Sequence, residues 1–190
     1  MIRQRLRRRR HGILDDMPCD AQLLGSADET TGEVHLSLVV SGDAQRVWAA
    51  LTSAGELPAW IGRLAGSPLE AGSEFDLWHE EAVKSSHVVE RWGPPTLLEL
   101  TWDFPDETPS RVTFHLDAQV DANTLVTVEH RGLDDPICYA AGWHRHLTYL
   151  ASHLNGQDLA WENFWDGFDA LADKYRTGTE RASSRHPNDR

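Results

Sequence analysis

The sequence predicts an α+β domain in which a curved antiparallel β-sheet wraps around one long helix near the C-terminal end. The first observation is residues 136 to 154, where apolar residues recur every three or four positions, as on one face of a helix. The second is the alternation of apolar and polar residues in several upstream segments, which is typical of half-buried strands. Because the helical stripe must be buried and these strands supply a large apolar surface, we expect the two to pack together.

The chain begins with a basic leader that differs from the rest. The formal charge is −12, yet six arginines stand within the first ten residues, and without them the charge would be −18. The leader could be a nucleic-acid or membrane arm, an Arg-rich transit peptide, or an unstructured segment that precedes a true start at Met17. We favour an unstructured segment, because no apolar or amphipathic pattern accompanies the charges. Residues 1–31 are therefore expected to be disordered.

The first strand is expected from Glu33, with Val34, Leu36, Leu38 and Val40 on one face. Ser41–Asp43 should end it and cap a short helix, and a second short helical turn should follow Gly55. About five hairpin-linked strands are then expected. Their inward faces should hold Phe75, Leu77 and His79; Val88, Glu90 and Trp92; Leu98, Leu100, Trp102 and Phe104; and Val112, Phe114 and Leu116, before a last strand from Leu125 to His130.

The long helix has clear start and stop signals. Asp134 and Asp135 can accept hydrogen bonds from the first turn, Pro136 stands where a missing donor costs nothing, and Gly156 marks the end. Its apolar face should hold Ala140, Trp143, Leu147, Leu150 and Leu154, with His144 at the margin. Arg145 and His146 are expected on the solvent side. Beyond it, an aromatic-rich helix is expected over residues 157–176, followed by a disordered tail over 177–190.

Several short motifs make the chain resemble the SRPBCC or START-like superfamily, also described as Bet v I-like. They include Ser41 to Thr52, the Leu57-Pro-Ala-Trp60 turn, Leu69 to Phe75, and Gly142-Trp143 leading to Gly156. Within the superfamily the chain is most similar to the branch named for the activator of Hsp90 ATPase homologues. The resemblance covers about residues 33–156, within an expected domain of residues 32–156, and implies a helix-grip fold with an apolar cavity between sheet and helix. The chain departs from the family pattern at Ser73, where a second glycine is common, and in its longer C-terminal extension.

The expected cavity defines the candidate site. Its lining should hold ten residues: Trp60, Phe75, Leu77, His79, Glu90, Leu100, Trp102, Phe114, His144 and Leu147. Catalytic candidates are His144, which could bond a ligand or move a proton, and Glu90 with His79. If Glu90 and His79 met, they would form an acid/base pair suited to enolisation or dehydration of a polyketide-like substrate. A slipped strand register would instead leave Glu90 in solvent.

Three functions stay open on these grounds. The leading one is binding of an apolar or aromatic small molecule without a cofactor or metal, and the residues leave open whether any reaction is catalysed. The others are a polyketide cyclase or aromatase-like enzyme and a chaperone-interaction module. The acidic charge argues against nucleic acid and anionic membrane as partners, and we expect a cytoplasmic protein. The helix expected at 157–175 could dock within the chain or form a homodimer.

Overall fold

The computed structural model describes residues 23–80 and 82–183, with backbone alone for residues 80 and 179–183. These residues form, in chain order, β1 (Leu24–Asp28), β2 (Glu33–Ser41), α1 (Ala44–Thr52), a 3₁₀ turn (Leu57–Ala59), β3 (Arg63–Gly66), β4 (Glu74–Glu80), β5 (Val83–Gly93), β6 (Leu97–Trp102), β7 (Ser110–Ala118), a 3₁₀ turn (Val120–Ala122), β8 (Asn123–Arg131), α2 (Pro136–Leu154), a 3₁₀ turn (Trp161–Asn163) and α3 (Phe168–Ser183).

The described strands form one antiparallel sheet in the order β1-β2-β8-β7-β6-β5-β4-β3. Alternate residues of β2 and β6 are buried against α2, which gives the apolar core its two layers. This arrangement confirms the predicted α+β class and the helix-grip fold. None of the described helices combines the length and apolar character needed to cross a membrane.

The long helix α2 has the predicted bounds. The side chain of Asp135 accepts a hydrogen bond from the backbone N–H of Cys138 at 3.1 Å, so this residue is the N-cap. Of its residues, Trp143, Leu147 and Leu150 are fully buried, as the apolar periodicity requires. Arg145 is also buried, contrary to our expectation, because the C-terminal extension covers that side.

The first strand, β1, corrects the expected disorder of residues 1–31. Residues 1–22 lie outside the described residues, but Leu24–Asp28 pairs with β2 from Leu24 opposite Ser37 to Asp28 opposite Glu33. Of the five β1 residues, Ala27 alone is buried. Gly25 lies so close to Leu36 that an added Cβ would sit 2.0 Å from its side chain. Two small residues carry too little apolar signal for a period-2 pattern to be seen. β1 also contacts both α2 and α3.

A bulge in β5 corrects the predicted inward face of that strand. Val89 pairs with Leu100 but Arg91 pairs with Glu99, so one extra residue, Glu90, is inserted. Upstream of the bulge the buried residues are Ser85, His87 and Val89 rather than Val88 and Glu90. Downstream of it Trp92 turns back toward the core and contacts Trp48 at 4.9 Å between ring centroids.

The C-terminal extension packs on the long helix of the same chain. Residues 157–167, which we call the strap, contain a 3₁₀ turn rather than the expected helix. The helix α3 starts later, at Phe168, and continues to Ser183, so residues 177–183 are helical where we expected a disordered tail. The buried α3 residues are Phe168, Leu171, Ala172 and Tyr175.

Candidate functional site

Between the sheet and α2, the described residues enclose a void of about 10 Å³, room for roughly one water molecule. Six of the ten predicted lining residues border this void: Trp60, Phe75, Leu77, Leu100, Trp102 and Phe114. Leu51, Leu57, Ile61, Leu69 and Leu98 complete the wall. The predicted lining is therefore largely brought together, but the space it encloses is far smaller than a ligand.

The predicted acid/base pair does not form. Glu90 lies exposed on the outer face of the sheet, where its carboxylate accepts bonds from Arg111 at 2.5 and 3.1 Å. These bonds hold the pKa of Glu90 below its usual value. His79 lies on the inner face of β4, so the two side chains are on opposite sides of the sheet.

The helix candidate His144 also lies outside the predicted cavity. It is buried beneath α3, where its Nδ1 lies 2.8 Å from the hydroxyl oxygen of Tyr175. This contact depends on the C-terminal extension, and it places His144 between two helices rather than against the sheet. Leu147 is fully buried on α2 but does not border the void.

A chain of hydrogen bonds links two histidines at one end of the sheet. His79 on β4 places Nδ1 3.0 Å from the carbonyl oxygen of Ile61 and Nε2 2.7 Å from Ser85 Oγ. The same Ser85 oxygen lies 2.6 Å from His87 Nε2, and His87 Nδ1 lies 2.9 Å from the carbonyl oxygen of Thr101. Ser85 and His87 are buried because they alternate inward on β5.

A second chain fixes the tautomer of His130. Trp143 donates its Nε1–H to His130 Nδ1 at 2.9 Å, so the hydrogen of the neutral ring is on Nε2. Nε2 then donates to Ser110 Oγ at 2.8 Å, and the Ser110 hydroxyl donates to the carbonyl oxygen of Trp102 at 3.1 Å. Every polar atom in this chain has a partner. It ties β6, β7, β8 and α2 together through buried groups.

His146 on α2 faces the same end of the sheet. Its Nδ1 donates to the carbonyl oxygen of Trp60 at 2.8 Å, and its ring centroid is 6.4 Å from that of His79. Nε2 is therefore an acceptor, and within the described residues it has no hydrogen-bond partner. Sequence reasoning placed His146 on the solvent side. The missed signal is the stripe Tyr139, Trp143 and His146, which recurs at helical spacing next to the apolar face.

Burial keeps three of these rings neutral. Desolvation lowers the pKa of His87 to about 4 and the pKa values of His130 and His146 to about 3. The bonds from His87 and His146 to backbone carbonyls oppose this shift without cancelling it. We call His87, His130 and His146 the three desolvated histidines.

Trp102 lies at the centre of the cluster. Its ring centroid is 4.5 Å from that of His87 and 5.9 Å from those of His79 and His130. Its Nε1 is buried and makes no hydrogen bond of good geometry among the described residues, although it is near enough to Tyr139 to affect the pKa of that phenol. A buried donor without a partner costs about 1–3 kcal/mol, so a group that accepts a hydrogen bond from this N–H would remove that cost.

Gly142 leaves open space beside the cluster. A Cβ added there would meet no atom within 4 Å, and Gly142 is half-exposed although it lies in the middle of α2. Tyr139 and His146 stand one turn before and one turn after it on the same helical face. Tyr139 donates to Glu107 at 2.6 Å in the loop after Phe104, and His146 faces His79. We call the open space at position 142, on the helix face that carries Tyr139 and His146, the Gly142 recess.

The strap closes one side of this region. Its Phe164 ring lies 4.6 Å from that of His146, and Trp161 lies 6.3 Å from it. The buried Arg145 holds the strap, because its guanidinium donates to the carbonyl oxygens of Phe164 and Asn163, each at 2.7 Å. Tyr149 adds a bond to the carbonyl oxygen of Ala160 at 2.7 Å.

The aromatic residues of the strap and of the first turn of α3 are mostly covered within the chain. Phe164 and Phe168 are buried and Trp161 is half-buried, whereas Trp165 is 41% exposed. In this structure they serve chiefly as packing between the extension and α2. A homodimer through residues 157–175 stays a prediction.

The cluster combines aromatic rings with neutral imidazoles. Across residues 23–80 and 82–183, no group of three or more His, Cys, Asp or Glu side chains is placed to hold a metal ion. Aromatic walls, neutral imidazole acceptors and uncommitted donors are instead the groups that orient a planar organic molecule.

Comparison with known proteins identifies the fold independently. Residues 42–155 match the model of the family described as activator of Hsp90 ATPase homolog 1-like protein. No match was found among curated proteins. Among solved structures, the crystal structure of CalU16 from Micromonospora echinospora is similar, with 18% identity, a TM-score of 0.65, and coverage of 84% of this chain and 94% of CalU16.

Two further structures show the same likeness. The protein encoded by gene BPP1335 from Bordetella parapertussis has 26% identity, a TM-score of 0.62, and coverage of 85% of this chain and 94% of that protein. DynU16, a protein of the dynemicin biosynthetic locus, has 21% identity, a TM-score of 0.62, and coverage of 67% of this chain and 49% of DynU16. These likenesses to solved structures concern the fold.

Proposed function

We propose that this chain, which belongs to the family of activator of Hsp90 ATPase homolog 1-like proteins, binds an aromatic small molecule at the open end of its helix-grip fold. The observation that carries the proposal is the Gly142 recess. There Gly142 leaves open space one turn before His146, whose Nε2 has no hydrogen-bond partner within the described residues and whose ring centroid is 6.4 Å from that of His79. An aromatic ligand would stack on these rings and bond the imidazole.

A glycine in the middle of a helix supports this assignment. In a helix interior, Gly lowers stability by about 1 kcal/mol relative to Ala. At position 142 no neighbouring atom would clash with an added Cβ, so packing does not require a glycine there. Gly142 therefore does not stabilise the fold, but its lack of a side chain keeps the recess accessible. The small volume of the void between the sheet and α2 fits the same reasoning, because a ligand at the recess needs no large internal cavity.

Deeper entry of a ligand would require the strap to move. Hydrogen bonds from Arg145 and Tyr149 to its backbone carbonyls help to hold the strap, together with the packing of the buried Phe164. Such bonds contribute about 1–3 kcal/mol each, which a ligand that buries a large apolar surface can offset. We propose that small aromatic molecules occupy the recess and that larger ones displace Phe164.

The test uses 2-naphthol and isothermal titration calorimetry. At roughly 0.5 kcal/mol for each of about eleven non-hydrogen atoms, we expect a Kd on the order of 100 μM. Gly142→Leu should fill the recess and weaken binding at least tenfold. Gly178→Leu is the matched control, because Gly178 also lies in a helix with no atom within 4 Å of an added Cβ. It should stay within twofold of the wild type.

Two results would count against the proposal. Equal binding by both leucine variants would place the ligand elsewhere. No heat of binding from the wild type, together with no co-purified small molecule in native mass spectrometry, would remove the binding function itself.

A further inference from the structure

The hydrogen bond that His146 makes through one ring nitrogen decides what the other nitrogen can do. Nδ1 lies 2.8 Å from the carbonyl oxygen of Trp60, and a carbonyl oxygen only accepts, so Nδ1 carries a hydrogen. In a neutral imidazole this leaves Nε2 with a lone pair. Nε2 of His146 can therefore accept a hydrogen bond and has no hydrogen to donate.

The environment of His146 keeps the ring neutral. Desolvation is the main cause that lowers the pKa of His146 to about 3, and any positive charge on Arg145 or His79 acts in the same direction. The other described rings that pack on it, Phe164 and Trp161 of the strap, carry no charge. The acceptor character of Nε2 therefore holds at pH 7.

Nε2 of His146 is also open to an incoming group. Within the described residues it has no hydrogen-bond partner, and the residue is half-buried. The indole nitrogen of Trp102 differs, because this unpartnered donor is closed off from solvent. Of the two unpartnered groups, His146 is therefore the one that a ligand can reach without a change in the fold.

The direction of helical side chains brings His146 to the Gly142 recess. Side chains of a helix lean toward its N-terminus, so the His146 ring covers the turn that begins at Gly142. An added Cβ at Gly142 would meet no atom within 4 Å. The Phe164 ring lies 4.6 Å from the His146 ring. A planar molecule that rests over Gly142 thus has its edge within reach of the imidazole.

We propose that His146 sets the ligand class of the recess: a neutral aromatic molecule with a hydrogen-bond donor in the plane of its ring, of which the N–H of an indole is the simplest case. This assignment rests on the proposed function. The ligand N–H donates to Nε2, and no proton is transferred. An ether oxygen or a carboxylate in the same place would face the lone pair of Nε2, and the formal charge of −12 further disfavours an anion.

Indole and benzofuran test the donor, because the two molecules have nearly the same shape and differ by an N–H in place of an ether oxygen. Chemical-shift titrations of the full chain measure both affinities, and we expect a Kd on the order of 1 mM for indole. Indole should bind about threefold to tenfold more tightly than benzofuran. Equal binding of both probes would overturn the ligand class and leave the binding function standing.

A pair of histidine variants on α2 tests the acceptor. His146→Phe keeps an aromatic ring and removes Nε2, so the two probes should then bind with about equal affinity. His153→Phe is the matched control, because the ring nitrogens of His153 contact Asp158 and Glu56 at 2.6 and 3.3 Å. It should keep the wild-type preference for indole. A preference that persists in His146→Phe would overturn the role of His146, and the wild-type titrations decide the ligand class even if this variant folds poorly.

The state of Nε2 can be measured without any ligand. Long-range ¹H–¹⁵N correlation spectra at pH 7 distinguish a ring nitrogen that carries a hydrogen from one that carries a lone pair. We expect a hydrogen on Nδ1 of His146 and a lone pair on Nε2, whose signal should move when indole is added. A hydrogen on Nε2 in the free protein would overturn the inference while leaving the binding function standing. Binding of neither probe would overturn the proposed function, and the ligand class with it.

Discussion

Replacement of Gly142 by Ala tests the recess through stability alone. In a helix interior Ala is favoured over Gly by about 1 kcal/mol, mainly because the unfolded chain loses backbone freedom. An added Cβ would meet no atom within 4 Å, so no clash offsets this gain. We therefore expect Gly142→Ala to raise the free energy of unfolding by about 1 kcal/mol, which corresponds to about 2–4 °C in Tm for a chain of this size.

Urea denaturation followed by tryptophan fluorescence measures this change. The m-value should stay constant, because the surface exposed on unfolding hardly changes. Gly178→Ala is the control within the same fold, and it should give a smaller gain because it lies in the last turns of α3, which fray. A loss of more than about 1 kcal/mol in Gly142→Ala would show that the recess is occupied by protein atoms, and the reasoning for a binding site there would fail.

Three further predictions concern the buried polar groups. Ser110→Ala should lower the free energy of unfolding by about 1–3 kcal/mol, because His130 Nε2–H and a backbone carbonyl lose their partner. Stability should fall steeply from about pH 6 to pH 4, by up to about 4 kcal/mol per pH unit. The unfolded chain takes up protons on the three desolvated histidines near pH 6.5, which the folded chain resists until pH 3–4. Arg145→Met should free the strap, cost about 2 kcal/mol and speed its cleavage in limited proteolysis.

Controls separate these effects from general damage. Ser67→Ala, at an exposed loop position, should change urea stability by less than about 0.5 kcal/mol. Urea midpoints that do not change between pH 7 and pH 5 would contradict the neutral state of the histidines. Arg176→Met removes an exposed arginine of α3 and should leave the cleavage pattern intact; equal cleavage of both arginine variants would mean that Arg145 does not anchor the strap.

The elements that can be predicted from the sequence are those whose apolar residues recur at regular spacing. The bounds of α2 and the inward faces of β2 and β6 follow from apolar spacing, and the structure reproduces them. The family motifs add the helix-grip arrangement, and with it six of the residues that meet at the interior void.

The errors arise where one local event changes a pattern or where a distant segment decides burial. The extra residue at Glu90 reverses the parity of β5, and nothing in the alternation from Val88 to Trp92 marks it. His144 and Arg145 are buried by α3 and the strap, which are folded back from later in the chain. The links through Ser85 and Ser110 depend on the pairing of strands, and single-residue spacing does not encode that pairing.

The contact between β1 and α3 joins the first and last described elements of the chain. During synthesis on a ribosome, β1 emerges roughly 140 residues before the helix that covers it, so its pairing and its packing are separated in time. The sheet edge therefore stays uncovered until α3 has been synthesised.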